Sequence, residues 1–439
     1  MCCTCAAAAS SPTTNPFVNA RLVAEPFSPS RPALGLENHS YTPSVLANIV
    51  FVGGDAKSFG QGEVYLRRLA ELDITGRHVG RLTEKIGAEM ARQRDQEVAA
   101  YRRRELPVAV EVTPAAVVVE VDGGRVQTRT PGQGFGVHDP HWREDKVACF
   151  CTLHSQESAL DPHPEVPRCY LDRDYVHPLV DAVHGVGGSA KSEEKTTANA
   201  DPSPSVEEIE PPGKTPRWQP ERLVRTVVAT MEDSEAFGAM AAAEAQRRDF
   251  FASPRAAFVG DGQAYNWTIH RTWFPDFLDI TDFVHVTSYV YQAARACVGP
   301  KEDFWPTYVA WITAVWQGQV ANVLAELRLL VGPSEQAIQE ESRLALLQES
   351  LTYLENNERR MDYPRYRRLG LPIVSALVES LVKEINWRVK GTEKFWNDPD
   401  GAEAILQIRA ALLSEDDRLS NYLATRPGKL HRRDRERAA

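Results

Sequence analysis

Residues 108–130 read VAVEVTPAAVVVEVDGGRVQTRT, and this stretch carries the argument about fold class. β-Branched residues crowd it, a composition that favours pleated, buried strands over helices. Gly123 and Gly124 interrupt the run and predict a hairpin turn. Asp122 stands where the apolar VVVEV segment stops and the two glycines begin. After the turn-rich stretch GQGFGVHDPHWRED, residues 146–153 (KVACFCTL) alternate as a further strand, so a β-meander is expected to end near residue 154. The same local grammar returns downstream. AAFVGDG (256–262) is a short apolar run ending on Asp261 before a glycine, and FLDITDF (277–283) is another strand.

A carboxylate at the end of a buried strand has no apolar role, so it either accepts hydrogen bonds structurally or serves chemistry. Each Asp alone fits both readings. A third acid, Glu379, lies in LPIVSALVESLVKEINWRVKGTEKFW (371–396), whose apolar spacing predicts a helix. On that helix Glu379, Lys383, Asn386 and Lys390 form one stripe. An acid followed by amine and amide groups suits a metal ligand beside phosphate-contacting side chains. It equally suits a solvated Glu–Lys pair one turn apart, and the residues alone leave that choice open.

The remaining chain frames these acids. Val64, Leu66, Leu69 and Leu72, then Val79, Leu82, Ile86 and Met90, recur at helical spacing on either side of DITGR (73–77). Two helices across a tight turn, the second starting with Arg77, His78 and Arg81, fit a helix-turn-helix and also a plain helical hairpin. Residues 219–250 read as largely helical, and 284–360 as helices almost throughout, with Trp305, Trp311 and Trp316 as core. Residues 1–34 and the Pro/Ser/Glu/Lys-rich linker at 185–217 have no hydrophobic period and read as unstructured. Two linker segments, GVGGSAKS and EIEPPGKT, imitate phosphate-binding loops. Ala190 and Glu208 occupy glycine positions, and neither segment sits between a strand and a helix, so nucleotide binding is not expected there.

Composition excludes some classes. The chain has 439 residues, 43% of them hydrophobic and 25% charged, as expected of a globular protein free of membrane spans. The start lacks the basic region of a secretory signal, which predicts an intracellular, cytoplasmic protein. Seven cysteines do not make a disulfide framework; Cys149 and Cys151 read as buried thiols on a strand. The net charge of −10 argues against a protein that coats nucleic acid by bulk charge. Local Arg-rich runs at 101–105, 358–370 and 426–439 still offer phosphate-binding surfaces.

Three segments resemble bacterial insertion-sequence transposases of the ISKra type: VEVDGGRVQTR (119–129) with GVHDPHWREDKVACFCTL (136–153), residues 235–294, and residues 353–396. The resemblance covers most of 35–425 apart from the linker. It implies a mixed α/β ribonuclease-H-like catalytic core with an all-α insertion, preceded by a helix-turn-helix. The implied organisation is an unstructured 1–34, a DNA-binding region at 35–107, and core at 108–283. A helical insertion at 284–360, the rest of the core at 361–425 and a basic tail at 426–439 complete it.

By the same resemblance Asp122 in VDGG, Asp261 in GDG and Glu379 in VES hold two Mg²⁺ or Mn²⁺ ions. These ions would drive cleavage at transposon ends and transfer of the 3′-OH into target DNA. Asp282 and His285, in DFVH, are implied as supporting residues. Arg77, His78, Arg81, Lys383, Asn386, Arg388 and Lys390 are the expected DNA contacts, with double-stranded DNA as partner and a homo-oligomer forming on it. Association with the nucleoid would follow. One departure stands out: relatives carry a cysteine-rich region before the helix-turn-helix, where this sequence shows Cys2, Cys3 and Cys5. The alternative expectation is therefore an inactive, domesticated DNA-binding descendant.

Overall fold

The computed structural model describes residues 41–130, 141–187, 220–299, 302–332, 340–390, 396 and 399–426. The 1–34 segment with its three cysteines, residues 188–217 of the linker and the tail beyond 426 lie outside the described residues.

Five strands form one mixed sheet in the order β3-β2-β1-β4-β5. They are β1 (Val117–Thr128), β2 (His141–His154), β3 (Glu221–Thr230), β4 (Ala256–Gly260) and β5 (Leu278–Thr281). β2 runs antiparallel to both β1 and β3, while β4 is parallel to β1 and β5 is parallel to β4. Only β2 therefore opposes the common direction.

β1 explains why the sheet is two-sided. Val117, Val119 and Val121 point to one core with Phe150 and Phe258, and Val118 and Val126 to the other with Val147 and Val259. A fully buried valine contributes about 1.5–3 kcal/mol, so both faces need cover. Helices α5 (Ser234–Arg247) and α6 (Ala264–Trp273) cover the first. The second is covered by α4 (Arg173–Gly187), the helical group α7 (Phe283–Cys297), α8 (Trp305–Trp316), α9 (Val320–Val331) and α10 (Glu341–Asn357), and α12 (Ala376–Val389) with α13 (Pro399–Leu413). The short α11 (Tyr363–Arg368) and α14 (Arg418–Thr425) complete the helices. Trp311 and Trp316 are buried, as expected of core tryptophans.

Three expectations need correcting. Gly123-Gly124 makes no hairpin: β1 runs straight through it, paired residue by residue with β2. The glycine serves close approach instead, since a Cβ at Gly124 would lie 2.7 Å from Asp145 Oδ1 across the strand pair. Residues 221–230 are a strand, not helix; ERLVRTVVAT places its apolar end against β2, which needs a partner on its outer edge. VAVEV at 108–112 forms no strand and leaves Val108, Val110 and Val112 exposed.

At the N-terminal end, α2 (Phe59–Ala70) and α3 (Gly76–Arg102) flank the DITGR turn, and α1 (Pro43–Asp55) packs with them. α3 lies along α13, with Gly87 against the Ala404 backbone. Among the described residues no helix is long and apolar enough to cross a membrane.

Candidate functional site

The parallel half of the sheet sets the geometry of the acids. Glu120 pairs with Val259, and that pairing is the last between β1 and β4. Two residues further on, Asp122 is level with Asp261. Asp122 is thus inside β1 rather than at its end, but it stands where its neighbour β4 stops. On the other side Gly260 pairs with Thr281, which brings Asp261 level with Asp282. By strand alternation all three share the face of Val118, Val259 and Ile280. One row of aspartates therefore crosses the sheet at the carboxyl ends of β4 and β5 and the level of β1 where its pairing with β4 stops, close to the position where open parallel sheets bind ligands.

Glu379 reaches this row from above, in the first turn of α12. The start of α12 is pinned to the sheet. The Val378 N–H donates to Glu120 Oε2 at 3.0 Å, and the Ser375 N–H donates to Asp282 Oδ1 at 3.1 Å. Asp282 also caps α7, accepting from the backbone N–H groups of Val284 and His285. His285 Nδ1 lies 2.6 Å from Asp282 Oδ2. Two helix N-termini, with their partial positive charge, thus face the acids.

The ligand atoms of Asp282, His285 and Glu379 all lie within 4.8 Å of one another. Asp282 is saturated, each oxygen accepting two hydrogen bonds, so its work is to fix His285 and the two helix starts. Asp261 Oδ1 accepts from the Gln263 N–H at 2.9 Å and the Asn266 amide at 2.8 Å. Asp122 Oδ1 accepts from the Gly123 N–H at 2.7 Å. Among the described residues neither Asp offers its Oδ2 to a hydrogen-bond donor.

Burial dominates the electrostatics. It pushes Asp122 up to about 6 against the Gly123 N–H, with the charge of Asp261 adding to the rise. Asp261 is likewise raised by burial, opposed by His285. Burial and then the charge of Asp282 push Glu379 up to about 7, with His285 opposing and Asp122 adding. For His285 burial works against the charge, yet the hydrogen bond and charge of Asp282 outweigh it and raise the imidazole to about 10. An imidazolium therefore stands among the carboxylates as their internal counter-ion. Asp122, Asp261 and Glu379 supply only hard oxygen donors, the set that suits Mg²⁺ or Mn²⁺, and two of them have an unclaimed oxygen.

The other expected contacts divide. Lys383 is exposed one turn beyond Glu379, and Asn386 is half-buried on the same helix. Lys390 is the extended residue that ends α12, with its Nζ 6.0 Å from the Trp142 ring centre. Arg388 does not face solvent, as a phosphate contact would. It is buried, donates from Nε to Gly53 O at 2.9 Å, and lies over the Phe59 and Trp396 rings. Its guanidinium joins α12 to the N-terminal helices, because its place on α12 faces inward. Arg77 and Arg81 are exposed at the start of α3, and half-buried His78 contacts Tyr41 Oη and Arg81.

Two buried acids escaped the sequence reading. Glu120 is a lone acid inside VVVEV, and Asp145 precedes the buried stretch of β2. Glu120 Oε1 and both oxygens of Asp145 are buried without a hydrogen-bond partner among the described residues. Cys149 and Cys151 are buried thiols, as expected. Compared with known proteins, the chain matches no family model and no curated protein.

Proposed function

We propose that this chain is a metal-dependent DNA-processing enzyme, a transposase with a ribonuclease-H-like core. The observation that carries the reading is the aspartate row across β1, β4 and β5 with Glu379 above it. The sheet order, with only β2 antiparallel, supports the ribonuclease-H-like assignment. The resemblance noted in the sequence assigns its three acids to the same positions, Asp122, Asp261 and Glu379.

In this reading those three carboxylates hold two Mg²⁺ or Mn²⁺ ions. When bound, the ions supply an activated water and stabilise the leaving oxygen in phosphoryl transfer. The chain does the positioning. Glu120 and Asp282 fix the start of α12 and so the height of Glu379 over the sheet. Asn266 and the Gln263 N–H orient Asp261. Asp282 holds His285 beside the acids, where its charge limits their mutual repulsion until cations arrive. Lys383 beside the site and Arg77 and Arg81 at the start of α3 take DNA phosphates, which predicts binding that weakens steeply with salt. Assembly of more than one copy on paired DNA ends belongs to the same proposal.

A second reading, DNA binding without cleavage, draws on one observation. His285 already balances charge in the acid row, so the row is tolerable without metal. Nicking of supercoiled plasmid in Mg²⁺ separates the two. The enzyme reading expects nicking that EDTA abolishes, whereas the binding reading expects retention of DNA with no nicks.

A further inference from the structure

Asp145 is fully buried on β2, and both its carboxylate oxygens are without a hydrogen-bond donor among the described residues. Native proteins rarely leave a carboxylate in that state, because a buried charge needs a pair, a donor set or a metal. Its direction is clear. Asp145 pairs with Gly124, and a Cβ there would lie 2.7 Å from Oδ1 and 2.8 Å from Oδ2. The carboxylate therefore lies against β1 at Gly124, on the sheet face that Gly124 shares with Asp122. Diagonal neighbours of this kind in an antiparallel pair stand about 7–8 Å apart, a span that two carboxylates close around one cation. The backbone N–H of Asp145 itself and the charge of Lys390 favour the ionised carboxylate, yet among the described residues no ion pair joins Lys390 to Asp145.

We propose that Asp145 is a further cation ligand, sharing a hard divalent ion such as Mg²⁺ or Mn²⁺ with Asp122. This rests on the metal-dependent reading of the acid row and extends it from the parallel strands onto β2. Gly124 is then required because any side chain would displace the Asp145 carboxylate. The metal-free state keeps an unsatisfied acid, which the bound ion satisfies.

Mn²⁺ titration of the full chain, followed by the paramagnetic resonance of free Mn²⁺, tests this. Asp145→Asn is expected to weaken Mn²⁺ binding at one site by about tenfold or more. In EDTA the same variant should melt no lower than the parent, since it loses an unpartnered charge, while the Mn²⁺-induced rise in its melting temperature shrinks. Unchanged Mn²⁺ affinity and number overturn the proposal. If Asp145→Asn does not fold, Gly124→Ala decides: weakened Mn²⁺ binding supports the site, and unchanged binding overturns it. Asp261→Asn separates this proposal from the functional reading. Mn²⁺ binding lost in Asp261→Asn but kept in Asp145→Asn removes only the Asp145 site; Mn²⁺ bound as expected without plasmid nicking removes only the enzyme.

Discussion

Glu244 and Glu379 are both carboxylates packed beside the same sheet, yet the chain treats them in opposite ways. Glu244, on α5, meets Arg418 at 2.6 Å and Arg247 at 3.5 Å. Burial would raise its proton affinity, but the charges of Arg418 and Arg247, with hydrogen bonds from Arg418 and Thr226, outweigh burial and hold it at about 2. Around it Arg94 pairs with Glu403 at 2.6 Å and Arg418 with Asp416 at 2.7 Å. Glu244, Arg247, Arg94, Arg418 and Asp416 line a cavity of about 300 Å³ under α3, α5, α13 and α14, and each of these charges has its opposite. At Glu379 burial wins: Asp282 and Asp122 add to the rise, and His285 and Lys383 oppose it without cancelling it. A cluster whose charges are internally matched stabilises the fold. A cluster left acidic at some cost to the fold is what a cation-binding site requires.

The matched cluster gives the largest expected effect. Arg418→Met leaves Glu244 and Asp416 short of their main partner and should cost about 3 kcal/mol in chemical denaturation. Mn²⁺ affinity should not change. A variant that lost Mn²⁺ binding while still folded would break the contrast between the clusters.

A smaller effect should appear in the pH dependence of metal-free melting. Asp122, raised to about 6, and Glu379, raised to about 7, bind protons more tightly when folded. Their carboxylates therefore erode stability as pH rises between about 4 and 7. His285, raised to about 10, contributes stability that is complete below its ordinary value of 6.5 and lost as pH climbs through 10. Glu244 works the other way, its contribution present above its ordinary value of 4.5 and lost as pH falls through about 2. In EDTA the melting temperature should fall from pH 5 to pH 8, and saturating Mn²⁺ should flatten that fall. A melting temperature that rises with pH over this range in EDTA contradicts the assignment.

The smallest effect is expected at Glu120, whose complete burial raises its proton affinity well above the ordinary range. A protonated Glu120 accepts from the Val378 N–H through one oxygen, and an amide reproduces that arrangement. Glu120→Gln should shift stability by no more than about 1 kcal/mol. A larger loss would mean that Glu120 is charged and belongs with the acids above it.

Asp261 and Glu379 could be placed from local pattern, because each sits at a recognisable junction of strand and glycine or on an apolar helix. Asp282 and His285 entered with the DFVH motif and meet as cap and imidazole on α7. Other parts depend on register, which no local window contains. The Gly123-Gly124 pair looks like a turn until β2 is laid beside it and Asp145 is found against Gly124. Glu120 is one acid in a valine run until α12 sets its backbone N–H over it. β3 was hidden because ERLVRTVVAT runs into the alanine-rich α5, and the period of the helix dominated the reading. Arg388 was expected beside the Glu379, Lys383, Asn386 and Lys390 stripe, whereas its own angle on α12 carries it into the Phe59 and Trp396 rings.

The central claim is that Asp122, Asp261 and Glu379 bind divalent cations and cut DNA with them. Its most direct test is Mg²⁺-dependent nicking of supercoiled plasmid by the full chain and by Asp261→Asn, with folding of both checked by circular dichroism. The account predicts nicking by the parent chain and a loss of about a hundredfold or more in Asp261→Asn at unchanged fold. Equal nicking by the two proteins, or none by the parent in Mg²⁺ or Mn²⁺, would contradict it.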